Sequence, residues 1–136
     1  MKKRNGFTLV ELLAVIAILA ILLLVIVPKV NDVLKDSKDS VNESSTLSLA
    51  KTADLYYSKN AFDDSVNASF DGDTDVLDQL KISGKKPESG FVLIDQDGNV
   101  SVGAVFTGKC YVKGFTDVEA TKTDNMDACV HTPLPE

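Results

Sequence analysis

Histidine is nearly absent, cysteine is scarce, and positive charge is in the minority, with 14 Lys and Arg against 20 Asp and Glu for a net charge of −6. The single histidine, His131, cannot build a histidine zinc site or a Ser-His-Asp arrangement, and it reads as an exposed side chain of a polar C-terminal stretch. No glycine-rich phosphate loop occurs, so the chain is no P-loop ATPase. The acidic balance argues against broad nucleic-acid binding by a folded head. Asp71, Asp73 and Asp75 alternate as carboxylates do in a calcium loop, but Val76 and Ile82 stand where an EF-hand needs glycine and glutamate. Asp95, Asp97 and Asn99 are explained more simply by a hairpin than by a cation. The triplets beginning at Asn42, Asn67 and Asn99 match the glycan-acceptor pattern, which means little in a bacterial cell. No catalytic residue, metal ligand or cofactor site emerges.

A second absence is more informative. Residues 12–27 contain no polar side chain, no glycine and no proline. A helix apolar on every face belongs in lipid or at the centre of a bundle. Residues 7–27 number 21, and at about 1.5 Å per residue they reach roughly 31 Å, the thickness of a bilayer's hydrocarbon core. Inside this run stands one ionisable residue, Glu11, whose carboxylate asks for a partner. A secretory signal peptide accounts for the basic Lys2, Lys3 and Arg4, but no small-x-small cleavage site follows Val27. An ordinary signal anchor, with Glu11 tolerated near the headgroups, fits the composition as well.

The junction narrows the choice. Lys2-Lys3-Arg4-Asn5-Gly6 followed by Phe7-Thr8-Leu9-Val10-Glu11 resembles the prepilin signature of type IV pilins and pseudopilins, and Pro28 closes the apolar run as a proline does in that family. The resemblance implies cleavage between Gly6 and Phe7 by a prepilin peptidase on the cytoplasmic side, N-methylation of Phe7, and retention of the apolar helix. It further implies a single-pass precursor in the bacterial cytoplasmic membrane that the pilus assembly machinery draws into an extracellular filament, a homopolymer of this chain. In that filament Glu11 would sit near the new α-amino group of Phe7 on a neighbouring subunit, and such a pair serves register more than stability. Loss of the three basic leader residues leaves 11 cations against 20 anions, a net of −9.

The remaining chain is organised in order from this helix. Residues 1–6 form the leader, 7–28 the transmembrane and assembly half of the helix, 29–59 its amphipathic half, and 60–136 a globular head. Pro28 cannot donate to the carbonyl of Leu24, so a kink is expected there. Beyond it Val30, Val33, Leu34, Val41, Leu49, Leu55 and Tyr56 share a broad face with Ser37, Ser45, Ser48 and Thr52, which predicts the stripe that packs on a sheet. Lys35, Asp36, Asp39, Asn42 and Glu43 fall on the opposite side, read as solvated or as meeting other subunits, while Leu47, Ala50 and Tyr57 lie off the stripe. Residues 60–90 are rich in loop formers such as Asp63, Asn67 and Asp71, with one short helix at 74–81 capped by Asp73 or Thr74.

Residues 91–95, 99–106 and 109–115 read as strands, with Asp97-Gly98 and Thr107-Gly108 at the reversals. Val100, Val102, Ala104 and Phe106 alternate toward the helix. The expected fold is α+β: a long kinked N-terminal helix on a small antiparallel β-meander, like that of type IV pilins, ending in a polar loop and tail. Cys110 and Cys129 lie beyond the helix from the basic leader, hence outside the cytoplasm by the positive-inside rule, where a disulfide is permitted. Many pilins carry such a bridge near the C-terminus, so the resemblance implies one here; two free thiols are the alternative. For the chain as a whole the other readings are a pseudopilin of a secretion or DNA-uptake machine, and a single-pass membrane-anchored binding domain that never polymerises.

Overall fold

The computed structural model describes residues 6–60, 68–71 and 75–130, and these fall into two units, Met1–Ser37 and Lys38–Glu136. The leader residues 1–5, the cap positions Asp73 and Thr74, and His131 with the tail lie outside the described residues. One helix, α1 (Leu9–Lys59), runs through both units and passes Pro28 without interruption. The ring there forfeits one backbone hydrogen bond.

In the first unit every described residue is exposed, and this includes each large apolar side chain of the helix up to Leu34. Among the described residues of this unit none is buried.

The second unit has its own core. After α1 come β1 (Ala68–Asp71), α2 (Asp75–Leu80), β2 (Ser89–Ile94), β3 (Val100–Phe106), β4 (Lys109–Lys113) and β5 (Thr121–Thr123), then a 3-10 turn at Met126–Cys129. The strands form one antiparallel sheet in the order β1-β2-β3-β4-β5, a meander in which each strand pairs with the next. The fold is therefore α+β, a long N-terminal helix packed on an antiparallel sheet. Period-two alternation gives the sheet two different faces. Val100, Val102, Ala104, Phe106 and Tyr111 pack with Leu49 and Ala53 of α1 and with Leu77 and Leu80 of α2. On the other face Val105 and Cys110 meet Cys129.

Two details differ from the sequence reading. The sheet has five strands rather than three, because β1 and β5 lie in polar stretches whose period is too short to register. Phe70 of β1 enters the core, at 3% exposure, while Ser69 and Asp71 are exposed, and the backbone pairing Phe70↔Gly90 holds the strand in place. The contact face of α1 is also turned from the expected stripe. Asn42, Ser45, Thr46, Leu49, Ala50 and Ala53 are the buried residues, whereas Val41 and Leu55 are each 54% exposed. Small side chains let the helix approach a sheet whose bulk comes from Phe106 and Tyr111, whose rings meet edge to face with centroids 5.8 Å apart. The hydroxyls on that face are satisfied within the helix, Ser45 donating to the Val41 carbonyl and Thr46 to that of Asn42.

The reversal between β3 and β4 holds a testable strain. Thr107 and Gly108 both take positive φ, 53° and 71°, as a two-residue hairpin of the twisted type demands. A β-branched residue is poorly suited to that region, and asparagine is well suited. Thr107→Asn is expected to raise stability by about 1 kcal/mol, which corresponds to roughly 4–8 °C in Tm for a head of this size. Thermal denaturation followed by circular dichroism checks this.

Candidate processing and assembly site

The N-terminal junction is built from three residues ahead of the first helical turn. Gly6, Phe7 and Thr8 are outside the helix, and Phe7 is 93% exposed. Thr8 is the cap: its carbonyl accepts from Leu12 N–H at 3.2 Å, and its Oγ1 accepts from Glu11 N–H, also at 3.2 Å. In return the Glu11 carboxylate accepts the Thr8 N–H at 2.8 Å. This reciprocal pair is a capping box, and it satisfies two of the donors that every helix start leaves open. The Thr-x-x-Glu spacing at 8–11 is legible in the sequence, where the apolar neighbours overshadow it. Glu11 is thus bonded within its own chain and stands where the helix dipole favours an anion.

Behind this cap the helix is long and apolar enough to cross a membrane, with none of its most apolar window buried. Such a surface in water exposes a contiguous apolar area far beyond what soluble monomers show. Lipid or protein must cover it.

In the head a second cluster ties α1 to the sheet, and its two helix members, Asp39 and Asn42, are among the residues that periodicity places on the side read as solvated or as meeting other subunits. Asp39 Oδ1 accepts from the Tyr111 hydroxyl at 2.7 Å and from Lys109 Nζ at 3.1 Å, while its Oδ2 accepts from Lys122 Nζ at 2.9 Å. The buried Asn42 donates its amide to the Tyr111 oxygen at 3.1 Å. Asp39 therefore joins β4 and β5 to the helix, and its side chain is only 20% exposed. The Tyr111 hydroxyl and then the two lysines hold the Asp39 carboxyl well below the usual carboxylate range. Burial raises the Tyr111 pKa, and the bond to Asp39 raises that of Lys122. Helical periodicity weighs apolarity and cannot see that a carboxylate will meet three donors from strands about 70 to 80 positions away.

Cys110 and Cys129 are joined by a disulfide with Cα atoms 5.8 Å apart, 19 positions apart in sequence. The bond pins the 3-10 turn to β4 over the second face of the sheet, and closing such a loop is worth about 3 kcal/mol in the chain-entropy model. Asp95 is occupied as a turn staple: its carboxylate accepts from the N–H groups of Asp97 and Asn99 and from the Asn99 amide. Those bonds, led by the Asn99 side chain, lower the Asp95 pKa. Among the described residues no group of three or more His, Cys, Asp or Glu side chains is placed to hold a metal ion.

A scan against protein-family models matches residues 1–27 to the prokaryotic N-terminal methylation motif. Searches of curated proteins and of solved structures found no match.

The Asp39 cluster yields a prediction with a definite sign. Because its folded pKa is depressed, the contribution of Asp39 is complete above the ordinary carboxylate pKa of about 4 and is lost as pH falls from there toward the native value. Asp39→Asn is therefore expected to melt at a lower temperature than the parent at pH 7, with the gap narrowing only below pH 4. Paired melts across that range check both the direction and the window.

Proposed function

Because the chain carries at residues 1–27 the class III signal of type IV pilins and pseudopilins, we propose that it is a structural subunit of a type IV pilus. A prepilin peptidase cuts between Gly6 and Phe7 and methylates the new amino group of Phe7. The mature helix anchors the chain in the cytoplasmic membrane, with the head outside. Assembly machinery then draws the helix out of the lipid and packs it against copies of itself. The protein acts by polymerising and is not an enzyme.

The observation that carries this reading is the conjunction of the motif with a helix bare on every side. An apolar rod whose whole circumference is exposed suits two successive surroundings, lipid and then its own copies. The exposed junction at Phe7 supports access for the peptidase. The capping box supports storage in the membrane, since a carboxylate bonded at a helix start is less costly near an interface than a free one. On assembly the Glu11 carboxylate approaches the Phe7 amino group of a neighbour, and Pro28 ends the stretch that packs at the filament centre. The same features suit a pseudopilin of a secretion or DNA-uptake machine, which differs in what its filament does. A single-pass anchored binding domain is the reading from another class, and it requires that the leader stay in place.

Mass spectrometry of the N-terminus of the protein isolated from cells separates these readings. A first residue of N-methylated Phe7 is expected, and a chain that keeps Met1 contradicts the proposal. The pairing has its own test. Glu11→Gln and Glu11→Ala are expected to insert normally yet cut fibre yield about tenfold or more, since each strands a buried amino group. Fibre yield equal to that of the parent overturns the pairing.

A further inference from the structure

The head carries a recess that none of the chemistry above uses. Its floor is Leu47 and Ala50 of α1 with Val100 at the start of β3, and its outer wall is Phe115 and Val118 from the loop after β4. Leu47 and Ala50 are residues that helical periodicity leaves off the main stripe, and here they meet a cavity of about 230 Å³. That is room for about eight waters, less than a drug-sized ligand needs. Phe115 is half-buried and Val118 is 87% exposed, so the wall keeps apolar surface in water.

Charged side chains border the recess, and their donors and acceptors are not all used. Lys113, half-buried at the end of β4, donates through Nζ to the carbonyls of Val100 at 2.8 Å and Gly114 at 3.0 Å. An ammonium has three donors, so one remains. Among the described residues no carboxylate neutralises this ammonium. Lys51 and Asp54 stand one turn apart on α1, both exposed, and neither is bonded to any described residue. An acid ahead of its base is the better order along a helix, and here the order is reversed, so the two stay available.

We propose that this recess binds a small zwitterion with an apolar side chain, a free α-amino acid of about the size of leucine. Its carboxylate lies against Lys113 and Lys51, its ammonium against Asp54, and its side chain on Leu47, Ala50 and Val100 beside the Phe115 ring. A purely anionic ligand would meet Asp54, a purely cationic one two lysines, and an uncharged sugar would leave Lys113 without a counter-charge. The reversal stapled by Asp95 holds Asn99 at the rim, so that side of the site is formed before the ligand arrives. All of these residues belong to the head, and the site is independent of the pilus reading.

Titration of the full chain in detergent micelles with L-leucine, followed by NMR of its isotope-labelled backbone amides, tests it. Saturable shifts are expected at Lys51, Asn99 and Phe115 with a Kd of about 1 mM, modest because exposed charges are screened. Lys51→Met and Asp54→Asn change side chains that hold nothing in place, and each is expected to weaken leucine about tenfold or more with the remaining amides unmoved. Isocaproate, which is leucine without its ammonium, is expected to bind the parent about tenfold more weakly than leucine and to match leucine on Asp54→Asn. Shifts that do not saturate by about 30 mM overturn the proposal, as does a leucine affinity unchanged in both variants. Glucose or isoamylamine binding the parent as tightly as leucine also overturns it. Shifts that follow protein concentration rather than leucine make a second copy the occupant, and they overturn it too.

Discussion

An apolar surface must be covered, and in this chain the first half of α1 supplies none of its own cover. The hydrophobic cost of leaving such a rod in water, about 25 cal/mol per Å² of apolar area, accumulates along the whole run. That constraint orders the rest of the molecule. The helix start must be electrically satisfied before any partner arrives, and the reciprocal bonds of Thr8 and Glu11 do this within the chain. The head must fold without help from the rod, and it has its own core, its own sheet and a covalent clasp at Cys110 and Cys129.

The junction of helix and sheet is made with polarity as much as with apolar burial. Small residues on α1 allow close approach, and the bulky Phe106 and Tyr111 fill the space from the sheet side. A face of Ser, Thr and Ala gives little rotational preference by itself. The Asp39 carboxylate, with donors from two strands and a tyrosine bridged to Asn42, supplies that preference, because any other rotation of the helix would leave several buried polar groups unpaired.

The rod and the strands flanking Gly98 and Gly108 were legible in the sequence, because an unbroken apolar run and period-two alternation between turn residues are strong local signals. The core face of β3 was legible for the same reason, with Val100, Val102, Ala104 and Phe106 on one side. The two edge strands were not, since Ser69, Asp71, Thr121 and Thr123 have no apolar alternation and are held by their neighbours' backbones. The packing face of α1 was legible at Ser45 and Leu49, which are buried, but not at its edges, because Val41 and Leu55 outweigh serine and alanine in any apolar pattern, yet close packing favours the smaller residues. The Asp39 cluster could not be read at all, as its members come together only through the order of the sheet. The capping box at Thr8 could have been read from its spacing alone.

The central claim is that the bare rod is covered first by lipid and then by its own copies. Electron microscopy of fibres sheared from the cell surface, with mass spectrometry of their protein, tests it most directly. The account predicts filaments that contain this chain beginning at Phe7. Cells that make fibres while this chain stays single in the membrane, with residues 1–6 still attached, would contradict it.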